Sequence, residues 1–196
     1  GMGGDLGYQR QRRHAGLGIH FQHDEAAGGA AGGAIRVVVT KVGAADAAAS
    51  ECGMGASTDA ERFGRVDILV NNAFIPTPNV LLEEKTDEML ELTLTSALWA
   101  TWWAMRAVMP HMREHRWGRI VNFYSIDTET GAWLHADYNT AKSGIVGLTR
   151  SAASEWGRFN ITVNAIAPTA MGATFFKLAA ENPGFAERSA AARPLG

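Results

Sequence analysis

The chain has 196 residues, 46% of them hydrophobic and 19% charged, which suits one soluble globular domain with a sizeable core. The formal net charge is −2 with no basic run, which argues against a nucleic-acid partner. No stretch reaches the roughly 18 uninterrupted apolar residues of a membrane span, and the N-terminus lacks the charged-then-apolar order of a secretory signal. Cys52 is the only cysteine, so no disulfide can form within the chain, and a reducing cytoplasm is the expected location. The histidines show no metal-ligand spacing with cysteine or acidic residues, so no metal is expected.

In chain order, residues 1–34 are rich in Gly, Ala, Arg and His. Ile19-His20-Phe21 suits a short strand, and Asp24-Glu25-Ala26-Ala27 suits the start of a helix that the Gly28-Gly29 and Gly32-Gly33 pairs would weaken. Residues 35–39 are rich in β-branched side chains and predict a buried strand. Residues 44–60 are Ala-rich and predict a helix interrupted by Gly53 and Gly55. A second buried strand is expected at 66–70, ending at Asn71-Asn72, and Pro76 and Pro78 mark a loop. Thr86-Asp87-Glu88 has the form of a helix start, and that helix can run to about His115 with Pro110 near its end. A strand at 120–123, a helix at 136–159, a strand at 161–166 and a loop with a short helix at 169–184 complete the pattern. Strands alternating with helices predict a parallel sheet covered on both faces, in a single domain over 1–196. In such sheets ligands bind beyond the carboxyl ends of the strands. Asn71, Ser125 and Pro168 each fall at or just past a predicted strand end, so they converge on one edge.

The residues that carry chemistry are Tyr138 and Lys142, with Ser125 thirteen positions before the tyrosine. Residues four apart on a helix share a face, so the Lys142 ammonium can lie beside the Tyr138 hydroxyl. A nearby positive charge favours phenolate and would lower the phenol pKa toward working pH. Such a phenol can give a proton to a carbonyl oxygen or take one from an alcohol, while Ser125 hydrogen-bonds the same oxygen. A Tyr-x-x-x-Lys pair alone is weak, since surface helices often carry one.

The surroundings are more specific. Asp67-Ile68-Leu69-Val70-Asn71-Asn72-Ala73 stands upstream, and Gly118-Arg119-Ile120-Val121-Asn122 leads to Ser125. Ala141-Lys142-Ser143-Gly144, Gly147-Leu148-Thr149-Arg150, and Ile161-Thr162-Val163-Asn164-Ala165-Ile166-Ala167-Pro168 follow. This ordered set closely resembles the short-chain dehydrogenase/reductase family from about Glu61 to Pro168. The resemblance implies an α/β, Rossmann-like doubly wound parallel sheet in three layers, with helices on both faces, incomplete at the N-terminal glycine-rich loop and at the C-terminus. It implies Tyr138 as acid/base and Ser125 as the group orienting the substrate carbonyl. It also implies Lys142 as the residue that holds the nicotinamide ribose and tunes the tyrosine. Asn71, Ala73, Tyr138, Lys142 and Pro168 are the implied cofactor-binding positions, and NAD or NADP is the implied cofactor. For Asn71-Asn72 a turn satisfying its own backbone is the plainer and compatible role.

Four positions depart from the family pattern. The glycine-rich phosphate loop is not recognisable, Gly3-Gly4-Asp5-Leu6-Gly7 being at most a remnant. Phe74 stands where glycine usually follows Asn-Asn-Ala, and a ring there would crowd a cofactor unless it swings away. Ala97 stands where an asparagine completes a proton relay, leaving water or Ser96 for that role. Thr169 follows Pro168 where glycine is common. Gln22, His23 and Asp24 are the candidates for discriminating NAD from NADP, and Asp46 can stand near the adenine.

Trp99, Trp102 and Trp103 lie at i, i+3, i+4 spacing, which suits either core packing or the helix-pairing surface of a homodimer or homotetramer. The resemblance places Tyr124, Trp133, His135, Met171, Phe175 and Phe176 in segments that wall the substrate site, which implies a largely apolar, aromatic pocket, with ordinary loop packing as the plainer role. The leading expectation is therefore an oxidoreductase moving a hydride between NAD(P)(H) and a small-molecule carbonyl or secondary alcohol. The alternative is a non-catalytic relative, a binding or scaffolding protein without nucleotide affinity, motivated by the absent phosphate loop, Phe74 and Ala97.

Overall fold

The structure is a computed structural model that describes residues 19–26, 35–42, 65–168 and 173–191. It divides into two compact units, Gly1–Ile166 and Ala167–Gly196. The first holds a five-stranded sheet in the order β1 (Ile19–Ala26), β2 (Ile35–Val42), β3 (Ile68–Asn71), β4 (Gly118–Phe123), β5 (Ile161–Ile166). Strands β2 to β5 run parallel, as the alternation of strands and helices predicts. The β1 strand is antiparallel to β2, with Ile19 opposite Val42 and Ala26 opposite Ile35. Two expectations change here. The helix expected to open at Asp24 is strand through Ala26, and the sheet is mixed at this edge. The reason lies in the connection, since residues 27–34 are fewer than the dozen or more a parallel crossover needs.

Register explains the core. Val38, Leu69, Ile120 and Val163 are aligned across the four parallel strands, and all are buried. Alternation along the strands repeats this inward face at Asn71, Gly118, Asn122 and Ile161. A long helical rod covers it. Helix α1 (Asp87–Thr93) begins at Thr86, whose hydroxyl accepts from the Met89 amide at 3.3 Å, with Asp87 and Glu88 favourably placed in the first turn. A π-helical segment, Leu94–Trp99, continues into α2 (Ala100–Glu114). Sequence reading expects one helix from Thr86 to about His115, and the wider turn at 94–99 is the difference. Ala104, Met105, Val108 and Met112 of α2 pack on the sheet with Ala152 of α4 (Ala136–Trp156). Full burial of each large apolar side chain contributes about 1.5–3 kcal/mol.

Between β4 and α4 lies α3 (Asp127–Thr130), closed by Gly131 in the left-handed region at φ 64°. Gly144 lets α4 approach the π-helical segment closely, since a Cβ there would lie 2.8 Å from Leu98 Cδ2. The second unit holds α5 (Ala173–Glu181) and α6 (Phe185–Ala191), with the Phe175 and Phe185 rings 5.4 Å apart. The expected helix at 44–60, Asp46 and the Gly3–Gly7 run lie outside the described residues. Among the described residues no helix is long and apolar enough to cross a membrane.

Candidate active site

The carboxyl ends of β3 and β4 meet the first turns of α4, and there the structure brings Ser125, Tyr138 and Lys142 together. Tyr138 and Lys142 are one turn apart on α4, while Ser125 follows the end of β4. Lys142 is buried, at 5% exposure, and its Nζ donates to the Phe123 carbonyl at 2.9 Å, tying the helix to the strand end. The same nitrogen lies 5.8 Å from the Tyr138 ring centroid and 5.4 Å from that of Phe74. Tyr138 is half-buried, with Ser125 near enough to act on its phenol. Ser125 is held by its own turn, its Oγ accepting from the Asp127 amide at 3.2 Å and its carbonyl from the Thr128 hydroxyl at 2.8 Å.

Electrostatics differ from expectation in one respect. Burial lowers the Lys142 pKa to about 8. Burial also raises the Tyr138 phenol above its ordinary value, while the nearby Ser125 hydroxyl offsets part of the rise and the Asp127 carboxylate adds to it. The expected depression of the phenol by the ammonium is not what this geometry gives. Nζ points at a backbone carbonyl, and the cost of burying a phenolate prevails.

Asn71 and Asn122 are paired in the β3–β4 register, on the buried face one step beyond Leu69 and Ile120. Asn71 Nδ2 donates to Asn122 Oδ1 at 2.8 Å, and Asn122 Nδ2 donates to the Thr149 hydroxyl at 2.9 Å. The Asn71 side chain thus joins β3, β4 and α4 from inside, a role neither sequence reading describes, and its Oδ1 is buried without a hydrogen-bond partner. Ala73 is buried, and Pro168, exposed, lies past β5 in the second unit.

The departures at Phe74 and Ala97 are one packing arrangement. Phe74 packs against the cluster of Ala97, Ala141 and Ile145. It meets Tyr138 edge-on at 4.9 Å. Ser96 is buried and accepts the Ile75 amide at 3.2 Å, so its hydroxyl is engaged by the loop backbone. Sequence reading does not single out Asp127, whose carboxylate accepts from or pairs with His135 Nδ1 at 3.0 Å. The His135 ring lies 5.8 Å from that of Tyr138. An acid two residues after the serine and a histidine three before the tyrosine were the available signal. Among the described residues no group of three or more His, Cys, Asp and Glu could hold a metal ion.

A buried lysine one turn beyond a tyrosine, with a serine beside that tyrosine at the strand ends of a Rossmann-like sheet, defines a class of site suited to carbonyl and alcohol chemistry. The short chain dehydrogenase family model matches residues 29–183, and the chain belongs to the short-chain dehydrogenase/reductase family. It is 37% identical over 134 residues to a 12alpha-hydroxysteroid dehydrogenase of a Clostridium species, covering 68% of this chain and 51% of that protein. It is 38% identical over 137 residues to a 2,3-dihydroxy-2,3-dihydro-p-cumate dehydrogenase of Pseudomonas putida, covering 69% and 52%. Among solved structures it is similar to NADP-bound ElxO, with TM-score 0.63, 29% identity and coverage of 67% of this chain and 54% of that one. It is likewise similar to NAD+-bound xylitol dehydrogenase, with TM-score 0.60, 30% identity and coverage of 65% and 49%. The chain thus spans about half the length of the curated relatives it matches.

Proposed function

We propose that this protein is an NAD(P)-dependent oxidoreductase acting on a carbonyl or secondary alcohol, with Tyr138 as acid/base, Ser125 holding the reacting oxygen and Lys142 holding the cofactor ribose. The observation that carries this reading is the meeting of Tyr138 with Ser125 and a buried Lys142, whose Nζ lies 5.8 Å from the phenol ring, at the edge where parallel sheets bind ligands. The residues present fit a nicotinamide ribose. One Lys142 N–H is used at Phe123, and an ammonium has three donors. Phe74 packs on the Ala97, Ala141 and Ile145 cluster while its ring also borders Tyr138 and Lys142, so a bound ribose would have to share that edge with it. NADP-bound and NAD+-bound relatives among the structural neighbours support the cofactor class.

The bound nicotinamide would supply or accept the hydride. Tyr138 passes its phenolic proton to the carbonyl oxygen during reduction and accepts the alcohol proton in the reverse direction. Ser125 donates to that oxygen while charge develops on it. A phenol held above its ordinary range is protonated at neutral pH, which suits it to the reductive direction.

Purified protein supplied with NADH or NADPH should reduce members of a panel of small carbonyl compounds. Tyr138→Phe keeps the ring against Phe74 and removes the proton, so turnover should fall about 10²–10⁴-fold while cofactor binding, followed by NADH fluorescence, is retained. Absence of both turnover and NADH binding would replace this reading with that of a non-catalytic relative.

A further inference from the structure

The position immediately before Tyr138 carries a buried charge that the proposed chemistry does not use. Asp137 is 3% exposed and sits in the first turn of α4. One oxygen, Oδ1, accepts the Tyr138 backbone amide at 2.9 Å and pairs with Lys85 Nζ at 2.8 Å. The other, Oδ2, accepts from the Thr77 hydroxyl at 2.5 Å and lies 3.2 Å from the Thr93 hydroxyl, whose one proton is shared with the Met89 carbonyl at 3.0 Å. Lys85 is equally enclosed, its side chain 6% exposed, and it also donates to the Pro78 carbonyl at 2.7 Å and to the Thr77 hydroxyl at 3.3 Å. The cluster therefore ties three pieces together: the loop after β3, the end of α1 and the N-terminus of α4. All four donors to the carboxylate converge on the residue next to the tyrosine.

Two further observations make this more than a buried ion pair. The loop that supplies Thr77 and Lys85 begins just after Phe74, whose ring meets Tyr138 edge-on at 4.9 Å. The amide fixed by Oδ1 is that of Tyr138 itself. Movement of the Asp137 anchor would thus shift both the backbone that carries the phenol and the ring packed against it. Burial alone would raise the Asp137 carboxyl, but the hydrogen bonds from Lys85, Thr77 and the Tyr138 amide, with the Lys85 charge, hold it below its ordinary value. The carboxylate is thus kept ionised as an acceptor for all four donors.

We infer that Lys85 and Asp137 form a positioning clamp that sets the place of the Tyr138 ring against Ser125 and Phe74. The clamp's catalytic consequence rests on the oxidoreductase reading above. Its geometric consequence does not.

The test compares Lys85→Met, Asp137→Asn and the double variant Lys85→Met/Asp137→Asn with the parent chain. It reads the Tyr138 aromatic ring shifts in tyrosine-labelled protein, assigned by their loss in Tyr138→Phe, together with the thermal midpoint, kcat and the KM for NADPH or NADH. Removing both charges leaves none orphaned, so the double variant should recover most of the thermal midpoint lost by Lys85→Met. Its Tyr138 shifts, set by the Phe74 and His135 rings, should stay displaced. Its kcat should remain down by about tenfold or more with cofactor KM little changed, because small misplacements of reacting groups are costly. A double variant with parental Tyr138 shifts and parental kcat would overturn the clamp and leave a pair that only packs. Should the charge variants fail to fold, Thr77→Val removes one donor and keeps the ion pair. It should displace the Tyr138 shifts in the same direction by a smaller amount, and unchanged shifts would overturn the clamp. If no form of the protein turns over a substrate, the oxidoreductase reading fails while the ring shifts still decide the clamp.

Discussion

Lys142 carries its charge at a cost in stability, and the sign of that cost is measurable. Its pKa is about 8 in the folded chain against 10.5 for an ordinary lysine, because burial penalises the ammonium. Below about pH 8 both states are protonated and the penalty is fully present. Between about pH 8 and about pH 10.5 the unfolded chain binds more protons than the folded one, so this residue's contribution to stability rises with pH. The whole effect amounts to about 3 kcal/mol at most. Urea unfolding of the parent and of Lys142→Met, run from about pH 7 to about pH 10, isolates it, since other titrating groups are common to both. The stability difference should move in favour of the parent as pH rises, and a pH-independent difference would refute the buried-ammonium account. The same burial keeps the phenol protonated, so the acid form of Tyr138 and the cationic form of Lys142 coexist at neutral pH.

The helices decide how the two unusual positions, Phe74 and Ala97, live together. Ala97 belongs to the π-helical segment and is completely buried in a cluster with Ala141 and Ile145 of α4, against which Phe74 packs. An asparagine there would crowd this cluster, of which the Phe74 ring forms part of the wall, and bury an amide among apolar side chains. Overpacking and burial of an unmatched polar group each cost on the order of 1–3 kcal/mol, so Ala97→Asn should lower stability by about 2 kcal/mol. Phe74→Gly removes the ring and should cost a similar amount through lost packing. The double variant should cost clearly less than the sum, because the asparagine takes space that the ring vacates. Chemical denaturation of the four proteins gives the coupling directly, and strictly additive losses would show that the two positions do not share a volume.

For the whole molecule, the parallel strands, the strand-end placement of Ser125 and the shared helical face of Tyr138 and Lys142 were legible because each follows from local periodicity. What was not legible depends on distant partners. The antiparallel pairing of β1 depends on the connection at 27–34 as well as on the strand pattern. The Asn71–Asn122 hydrogen bond joins residues far apart in sequence, and burial of the phenol arises only once α4 meets the Phe74 loop. The tryptophan stripe left core and interface open, and the structure divides it. Trp99 and Trp102 are 45% and 40% exposed, while Trp103 is half-buried. Trp99 stacks on Trp103 at 5.9 Å and meets Trp102 edge-on at 6.4 Å, making one aromatic patch at the start of α2. Contiguous exposed aromatic surface is costly in water, and tryptophan is enriched in protein interfaces. A two-fold pairing of this helix with its copy would bury the patch on both chains at once. The expected assembly is therefore a homodimer, or a tetramer built from it. Sedimentation equilibrium at micromolar concentration should give at least twice the chain mass for the parent, and Trp99→Glu/Trp102→Glu should shift it toward the monomer without changing its far-UV spectrum. A parent chain that sediments as a monomer would assign the patch to some other partner.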